Sequence, residues 1–150
     1  MIDRQARSQL AVCLRHLASG RISNDVFDER APYSSEDRAV NAIWWQAWHL
    51  YSDLREHKLT GRDRLSQDTR RAVTRWIVFL HSDLEYQWPD LPLDGLLGAM
   101  LNLASLGHTG RRAYASWSQS GDIDVWPFLT RSQHEVARRQ PRLLAKATPN

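Results

Sequence analysis

Four side chains that can ligate a metal ion or carry a proton lie within one short segment: His49, Asp53, Glu56 and His57. If the segment is an α-helix, positions 49, 53 and 56 share one face, because residues three or four apart lie on the same side. Together they could surround a cation, but a zinc site needs further ligands at defined spacing and supporting groups behind them. The solvated face of a helix explains the same residues, and we prefer that interpretation.

A second group of acidic and aromatic residues begins at His81. Asp83 and Glu85 could act as paired carboxylates with His81 as a base, but general acid–base catalysis needs a pocket and shifted pKa values. We interpret the segment as a structured corner at a helix end, where Asp83 pairs with an arginine while Tyr86 and Trp88 fill the core. An acidic, aromatic corner is also a credible docking surface, since conformationally defined loops often carry binding residues.

Three tryptophans stand close together at positions 44, 45 and 48. Trp44 and Trp48 are four residues apart, so a helix places them on one face, and we predict that both belong to the core. Trp45 points about one hundred degrees away from Trp44 and is predicted to be partly exposed. Because tryptophan is enriched among the residues that dominate binding energy, Trp45 is a candidate interface anchor.

The basic residues are dispersed along the chain. Arg70, Arg71 and Arg75 share a predicted helix, but no helix-turn-helix, zinc-finger or RNA-binding motif accompanies them, which argues against nucleic-acid binding. No GxGxxG, GxxxxGKS, GxSxG or HExxH motif occurs, so nucleotide-binding, hydrolase and zinc-protease functions lack positive support. We therefore favour a chain that is not an enzyme and assign it no cofactor or metal, although motifs do not reveal a catalytic site assembled from distant residues.

The elements that must position these residues are predicted to be helices. Apolar residues recur at helical spacing in three long segments, and no series of alternating residues indicates a sheet. The predicted helices cover residues 3–19, a short stretch after Ser23, a long one from Ser34 or Ser35 through Leu54, then 66–80, 95–106, 111–118 and a last one capped by Ser132. The sequence thus predicts an all-α fold, an irregular single-domain bundle of about five to six helices over residues 1–150 with a frayed tail at 142–150.

Composition is consistent with one packed domain. The chain has 150 residues, 42% of them hydrophobic, with seven tryptophans and a net charge of +3. Cys13 is the only cysteine, which excludes a disulfide within the chain, and its apolar neighbours predict that it is buried. No apolar run resembles a signal peptide or reaches membrane-spanning length, so we expect a cytoplasmic protein without membrane contact.

Four segments have amino-acid sequences that resemble those of known proteins: residues 20–27, 50–54, 79–89 and 125–128. They resemble a group of small, uncharacterised bacterial all-helical proteins. Small stand-alone helical proteins of this sort are often immunity proteins that neutralise toxins. The resemblance implies a helical fold and, by analogy, a non-enzymatic binding protein whose partner is a toxin domain. The net positive charge argues against a nuclease partner, because inhibitors of nucleases tend to be acidic.

The leading hypothesis is a protein-binding module of the immunity type, with two alternatives from other classes. Its predicted contact residues are Trp45, Asp83, Glu85 and Trp88. The first alternative is a small metal-binding protein or enzyme that brings together His49, Asp53, His57, His81, Asp83 and Glu85. The second is an accessory nucleic-acid binder that uses the arginine-bearing helix. Homodimerisation through an exposed tryptophan is compatible with all three.

Overall fold

A computed structural model describes residues 1–89 and 115–139 of the chain. Within these two ranges it contains five α-helices with both ends described, a further helical stretch at residues 115–118, two short 3-10 helices and no β-strand, which confirms the predicted all-α fold. The α-helices are α1 (Arg4–Ala18), α2 (Asn24–Arg30), α3 (Arg38–Trp48), α4 (Gln67–Leu80) and α5 (Arg131–Arg139), and the 3-10 helices are Gly61–Asp63 and Ile123–Val125. None of the helices in the described ranges is both long and apolar enough to cross a membrane.

Polar side chains fix where the first four helices begin. Each accepts a hydrogen bond from a backbone N–H of the first turn, one of the donors that a helix leaves unpaired. The capping residues of α1 to α4 are Asp3, Ser23, Asp37 and Ser66. The starts of α1, α2 and α4 agree with the sequence prediction. Gly20, which follows α1 with a φ of 69°, has the left-handed conformation that glycine tolerates best after a helix.

α3 starts later than the sequence predicted. Ser34 does not cap it; the Ser34 hydroxyl donates to Asp3 at 2.9 Å and accepts from the backbone N–H of Asp37 at 3.2 Å. These bonds form a turn before the helix. The Asp37 carboxylate then accepts from the N–H of Ala39 at 3.0 Å and takes over the capping position.

α3 also ends earlier than predicted, at Trp48 instead of continuing through Leu54. Residues 49–60 form turns and bends that return to the start of α2. The Asn24 amide donates to the carbonyls of Ser52 and Arg55 and accepts from the N–H of His57. These tertiary hydrogen bonds satisfy backbone groups that a longer helix would have paired internally, so the chain leaves the helix although its apolar pattern continues.

α1 lies at the centre of the packing, in contact with α2, α3 and α4, while α4 also packs against α5. The described residues share one hydrophobic core. Its fully buried large side chains include Leu10, Leu14 and Leu17 of α1, Phe27 of α2, Ile43 of α3, Phe79 of α4, and Trp88 and Phe128 of the connecting segments. Cys13 is buried as predicted.

The C-terminal elements agree in part with those predicted from the sequence. Residues 115–118 are helical, within the predicted helix 111–118. α5 begins at Arg131, before the predicted cap Ser132, because the Thr130 hydroxyl accepts from the N–H of Gln133 at 3.3 Å. The predicted helix over residues 95–106 and the predicted frayed tail over 142–150 lie outside the described residues.

A buried ion pair joins three elements. Arg7 of α1 and Asp37 before α3 are 1% and 2% exposed, and two hydrogen bonds connect them, at 2.5 Å from Nε and 3.1 Å from Nη2. Nη1 of Arg7 also donates to the carbonyls of Ser82 and Leu84, at 3.2 and 2.9 Å. The pair thus ties α1 to the start of α3 and to the segment after α4.

We expect Asp37→Ala to lower the free energy of unfolding by about 3–5 kcal/mol, since it leaves the Arg7 guanidinium buried without a counter-charge. The matched control is Asp68→Ala, which removes an exposed ion pair to Arg71 and should cost less than about 1 kcal/mol. Urea unfolding followed by circular dichroism measures both. Equal losses in the two variants would show that the buried pair is not the stronger constraint.

Candidate functional site

The end of α3 carries an exposed aromatic surface, which we call the tryptophan face: Trp44, Trp45, Trp48 and His49. The Trp45 side chain is 44% exposed. Its ring stacks on that of Trp48, with centroids 5.5 Å apart and planes inclined by 14°. His49 lies edge-on to Trp48 at 5.7 Å, and its Nδ1–H donates to the carbonyl of Trp45 at 2.8 Å. The rings therefore hold one another in place at the surface.

The structure corrects the predicted roles of these tryptophans. Trp45 is exposed, as predicted, but neither Trp44 nor Trp48 is fully buried. Trp44 packs against the edge of the core. Trp48 stacks on Trp45 instead, because residues three apart also meet on a helix surface. The exposed aromatic area is thus larger than the sequence analysis expected.

The predicted acidic corner follows α4, and we call residues 81–89 the corner segment. Asp83 forms an ion pair with Arg4, as the sequence analysis predicted for an arginine partner. The Glu85 carboxylate lies 3.8 Å from the amino group of Met1. Half or more of each acidic side chain is exposed. Both acids therefore remain accessible at the surface while they hold the N-terminal segment.

Trp88 lies in the core. Its side chain has no exposed area, its indole N–H donates to the carbonyl of Phe128 at 3.1 Å, and its ring packs against Trp117 with centroids 4.6 Å apart. The interpretation that Trp88 fills the core is therefore the correct one. A side chain in this position cannot contact a partner at the surface, so its assignment as a contact residue was wrong.

The remaining candidate contact residues belong to two separate groups. The ring contacts of Trp45 are with Trp44, Trp48 and His49, all at the end of α3. The ion pairs of Asp83 and Glu85 are with the N-terminal segment. These contacts, all within residues 1–89, place the tryptophan face and the acidic corner in separate groups.

The corner segment also forms one wall of a cleft. The cleft has a volume of about 270 Å³ and lies between residues 81–84 and α5. His81 lines it, and burial lowers the pKa of this imidazole, with a further contribution from the positive charge of Arg15. Sequence analysis singled out His81 but missed the opposite wall, because Val136 and Ala137 are distant in sequence and carry no motif.

The residues proposed for a metal site are not brought together. His49 directly follows α3, whereas Glu56 accepts a hydrogen bond from the Ser23 hydroxyl at 2.6 Å and His57 contacts the carbonyl of Arg55. In residues 1–89 and 115–139, no three His, Cys, Asp or Glu side chains are placed to hold one metal ion. The prediction that residues 49, 53 and 56 share one face assumed a continuous helix, but α3 ends at Trp48.

The three arginines of α4 differ in their surroundings. Arg75 is partly buried and its Nε donates to the carbonyl of Trp126 at 3.0 Å, and burial lowers the pKa of its guanidinium. Arg71 pairs with Asp68 on the same helix, and Arg70 is exposed. Since Arg75 anchors the segment before α5, these residues do not present one continuous basic surface.

Comparison with known proteins gives no relative for this chain: no protein-family model, no curated protein and no solved structure matches it. The resemblance to small bacterial all-helical proteins therefore stays a prediction.

The lowered pKa of His81 predicts acid sensitivity. Because the unfolded chain takes up this proton more readily than the folded chain, the free energy of unfolding falls as the pH drops through the ordinary value of 6.5 and levels off below the folded pKa. Urea unfolding at about pH 7.5 and about pH 5.5 should show a smaller loss of stability in His81→Phe than in the unchanged chain.

Part of the loss should persist in that variant, since burial also lowers the pKa of His134. His134→Phe is the matched control. It should remove only the part of the acid-induced loss of stability that His134 causes. If His81→Phe loses as much stability as the unchanged chain over this pH range, the His81 imidazole is not the group that titrates.

Proposed function

We propose that this chain is a non-enzymatic protein-binding module that docks its partner on the tryptophan face. The observation that supports this proposal is the stacked pair Trp45–Trp48, which leaves Trp45 44% exposed at the end of a short helix. Indole rings that the core requires would be buried, as Trp88 is. Two neighbouring indoles at the surface supply the kind of large apolar contact that dominates protein interfaces.

The packing within the tryptophan face favours binding on entropic grounds. Ordering a free side chain at an interface costs about 0.5–1.5 kcal/mol. Trp45 and Trp48 already constrain each other by stacking, and His49 is fixed by its hydrogen bond to the Trp45 carbonyl. Much of that ordering is therefore complete before a partner arrives, so more of the burial energy contributes to affinity.

The partner that fits this surface presents an apolar pocket able to take an indole edge. Asp83 and Glu85 are proposed as a secondary, electrostatic contact, since both are exposed although paired. Charges at the rim of an interface contribute more to the association rate and the choice of partner than to affinity. We therefore expect the tryptophan face to supply the binding energy and the acids to influence its salt dependence.

The finer proposal is that the partner is a bacterial toxin domain and that the chain acts in the cytoplasm as its inhibitor. This step rests on the resemblance of the four sequence segments. The net charge of +3 favours a toxin other than a nuclease. Self-association through the tryptophan face is a competing use of the same surface.

The first experiment is affinity capture from a bacterial lysate with the tagged full-length chain, the variant Trp45→Ala/Trp48→Ala and the control Tyr33→Ser. Tyr33 is 80% exposed, so the control removes another surface aromatic. One stoichiometric partner should be retained by the unchanged chain and the control and reduced at least about tenfold in the double variant. Equal retention by all three would contradict the proposal.

The variant Asp83→Asn/Glu85→Gln tests the secondary contact once a partner is in hand. We expect slower association at low salt and little change in the dissociation rate, measured by surface plasmon resonance. A large increase in the dissociation rate would instead place the acids at the centre of the interface. Sedimentation velocity of the free chain distinguishes partner binding from self-association.

A further inference from the structure

The tryptophan face borders a negatively charged part of the surface. After α3 the chain continues its helical turn, since the N–H of Leu50 donates to the carbonyl of Ala47 at 3.0 Å. Tyr51 follows directly, only three residues after Trp48. Three residues of chain span at most about 11 Å, so the surroundings of Tyr51 lie next to the stacked rings.

Tyr51 connects this region to α2. Its ring lies edge-on to that of Phe27, with centroids 6.1 Å apart, and its hydroxyl donates to Asp28 at 2.6 Å. Asp25 lies one turn earlier on the same helix, and Asp53 follows Tyr51 by two residues. All three aspartates are exposed. We call Asp25, Asp28 and Asp53 the aspartate group.

The three carboxylates act on one point of the surface. Burial raises the pKa of the Tyr51 hydroxyl, and the hydrogen bond to Asp28 and the charges of the aspartate group raise it further. The chain as a whole carries a charge of +3. The negative potential beside the tryptophan face is therefore a local property of this region.

The turn that carries Asp53 is held in place and displays an apolar side chain. Asn24, which is 2% exposed, donates to the carbonyls of Ser52 and Arg55 at 3.3 and 3.1 Å. Leu54, between these two residues, is 95% exposed. A side chain on a fixed turn adds contact area to an interface at a low ordering cost, because little backbone freedom remains to be lost.

Stacked indoles beside carboxylates match the chemistry of an arginine side chain. The planar guanidinium stacks on aromatic faces, and tryptophan gives the strongest cation–π attraction. The same group donates two parallel hydrogen bonds to a carboxylate. A lysine ammonium is compact and strongly hydrated, so it gains less from flat rings. Anionic side chains of a partner would be repelled by the aspartate group.

We propose that the protein partner docks an arginine-bearing segment here, with its guanidinium groups against the rings of Trp45 and Trp48 and the carboxylates of the aspartate group. An apolar side chain of the same segment packs on Leu54. This inference rests on the docking function proposed above, to which it adds the charge and residue type of the partner's binding segment.

The test uses three blocked tripeptides on the full-length chain: Arg-Leu-Arg, Lys-Leu-Lys and citrulline-Leu-citrulline. Citrulline has nearly the shape of arginine without its charge. The indole N–H signals of Trp45 and Trp48 are followed in ¹H–¹⁵N spectra. We expect the arginine peptide to bind at about millimolar affinity, the lysine peptide about threefold more weakly and the citrulline peptide about tenfold more weakly.

Two variants locate the contact. Asp28→Asn/Asp53→Asn keeps an oxygen for the hydrogen bond from the tyrosine hydroxyl, and it should remove most of the advantage of the arginine peptide over the citrulline peptide. Trp45→Ala should weaken binding of all three peptides. The matched control, Asp68→Asn/Glu135→Gln, removes the same charge from exposed side chains of α4 and α5 and should leave the affinities unchanged.

Three results would overturn this proposal. The first is equal affinity of the arginine peptide and either of the other two. The second is an equal loss of arginine-peptide affinity in the aspartate variant and its control. The third is a free chain that sediments as a dimer and that Trp45→Ala returns to a monomer, which would assign the surface to a second copy.

The outcome is separable from that of the docking function. Lysate capture that depends on the indole rings, combined with peptides that bind without preference for arginine, would overturn the arginine-bearing segment alone. Equal capture by the unchanged chain, Trp45→Ala/Trp48→Ala and Tyr33→Ser would instead contradict docking itself.

Discussion

The ion pair between Arg7 and Asp37 is buried at the point where α1, the start of α3 and the corner segment meet. Taking two charges out of water is costly, and their attraction compensates for that cost only when their hydrogen-bonding capacity is satisfied. Here Arg7 binds the carboxylate and two backbone carbonyls, while the carboxylate also binds the N–H groups of Asp3 and Ala39. These partners come from the N-terminal segment, the start of α3 and the corner segment, so the pair specifies one arrangement of the three elements.

Both candidate surfaces depend on this arrangement. Because Asp37 caps α3, it sets the start of the helix whose far end carries the stacked rings of Trp45 and Trp48. Because Arg7 binds the carbonyls of the corner segment, it also fixes the wall of the cleft that carries His81. One buried interaction thus positions the tryptophan face and the cleft between residues 81–84 and α5, which share no lining residue.

Local signals in the sequence were sufficient for α1, α2 and α4, where a capping residue precedes an apolar pattern of helical period. They failed at the end of α3, since the pattern continues through Leu54 while the chain is redirected by hydrogen bonds to Asn24. The candidate sites were also predictable only in part. Residue type and position identified Trp45 and His81. The surface position of Trp48 and the cleft wall formed by α5 depend on the folded arrangement, which no local pattern encodes.

The contacts of Arg7 also bear on the order in which the chain is made. Its carbonyl partners, Ser82 and Leu84, lie 75 and 77 residues further along the sequence. During synthesis α1 leaves the ribosome long before these carbonyls exist, so its guanidinium must remain hydrated and the helix cannot settle into the core. Burial of Arg7 becomes favourable only when the corner segment emerges. α1 is therefore made before the other described helices but is among the last of them to be locked in place.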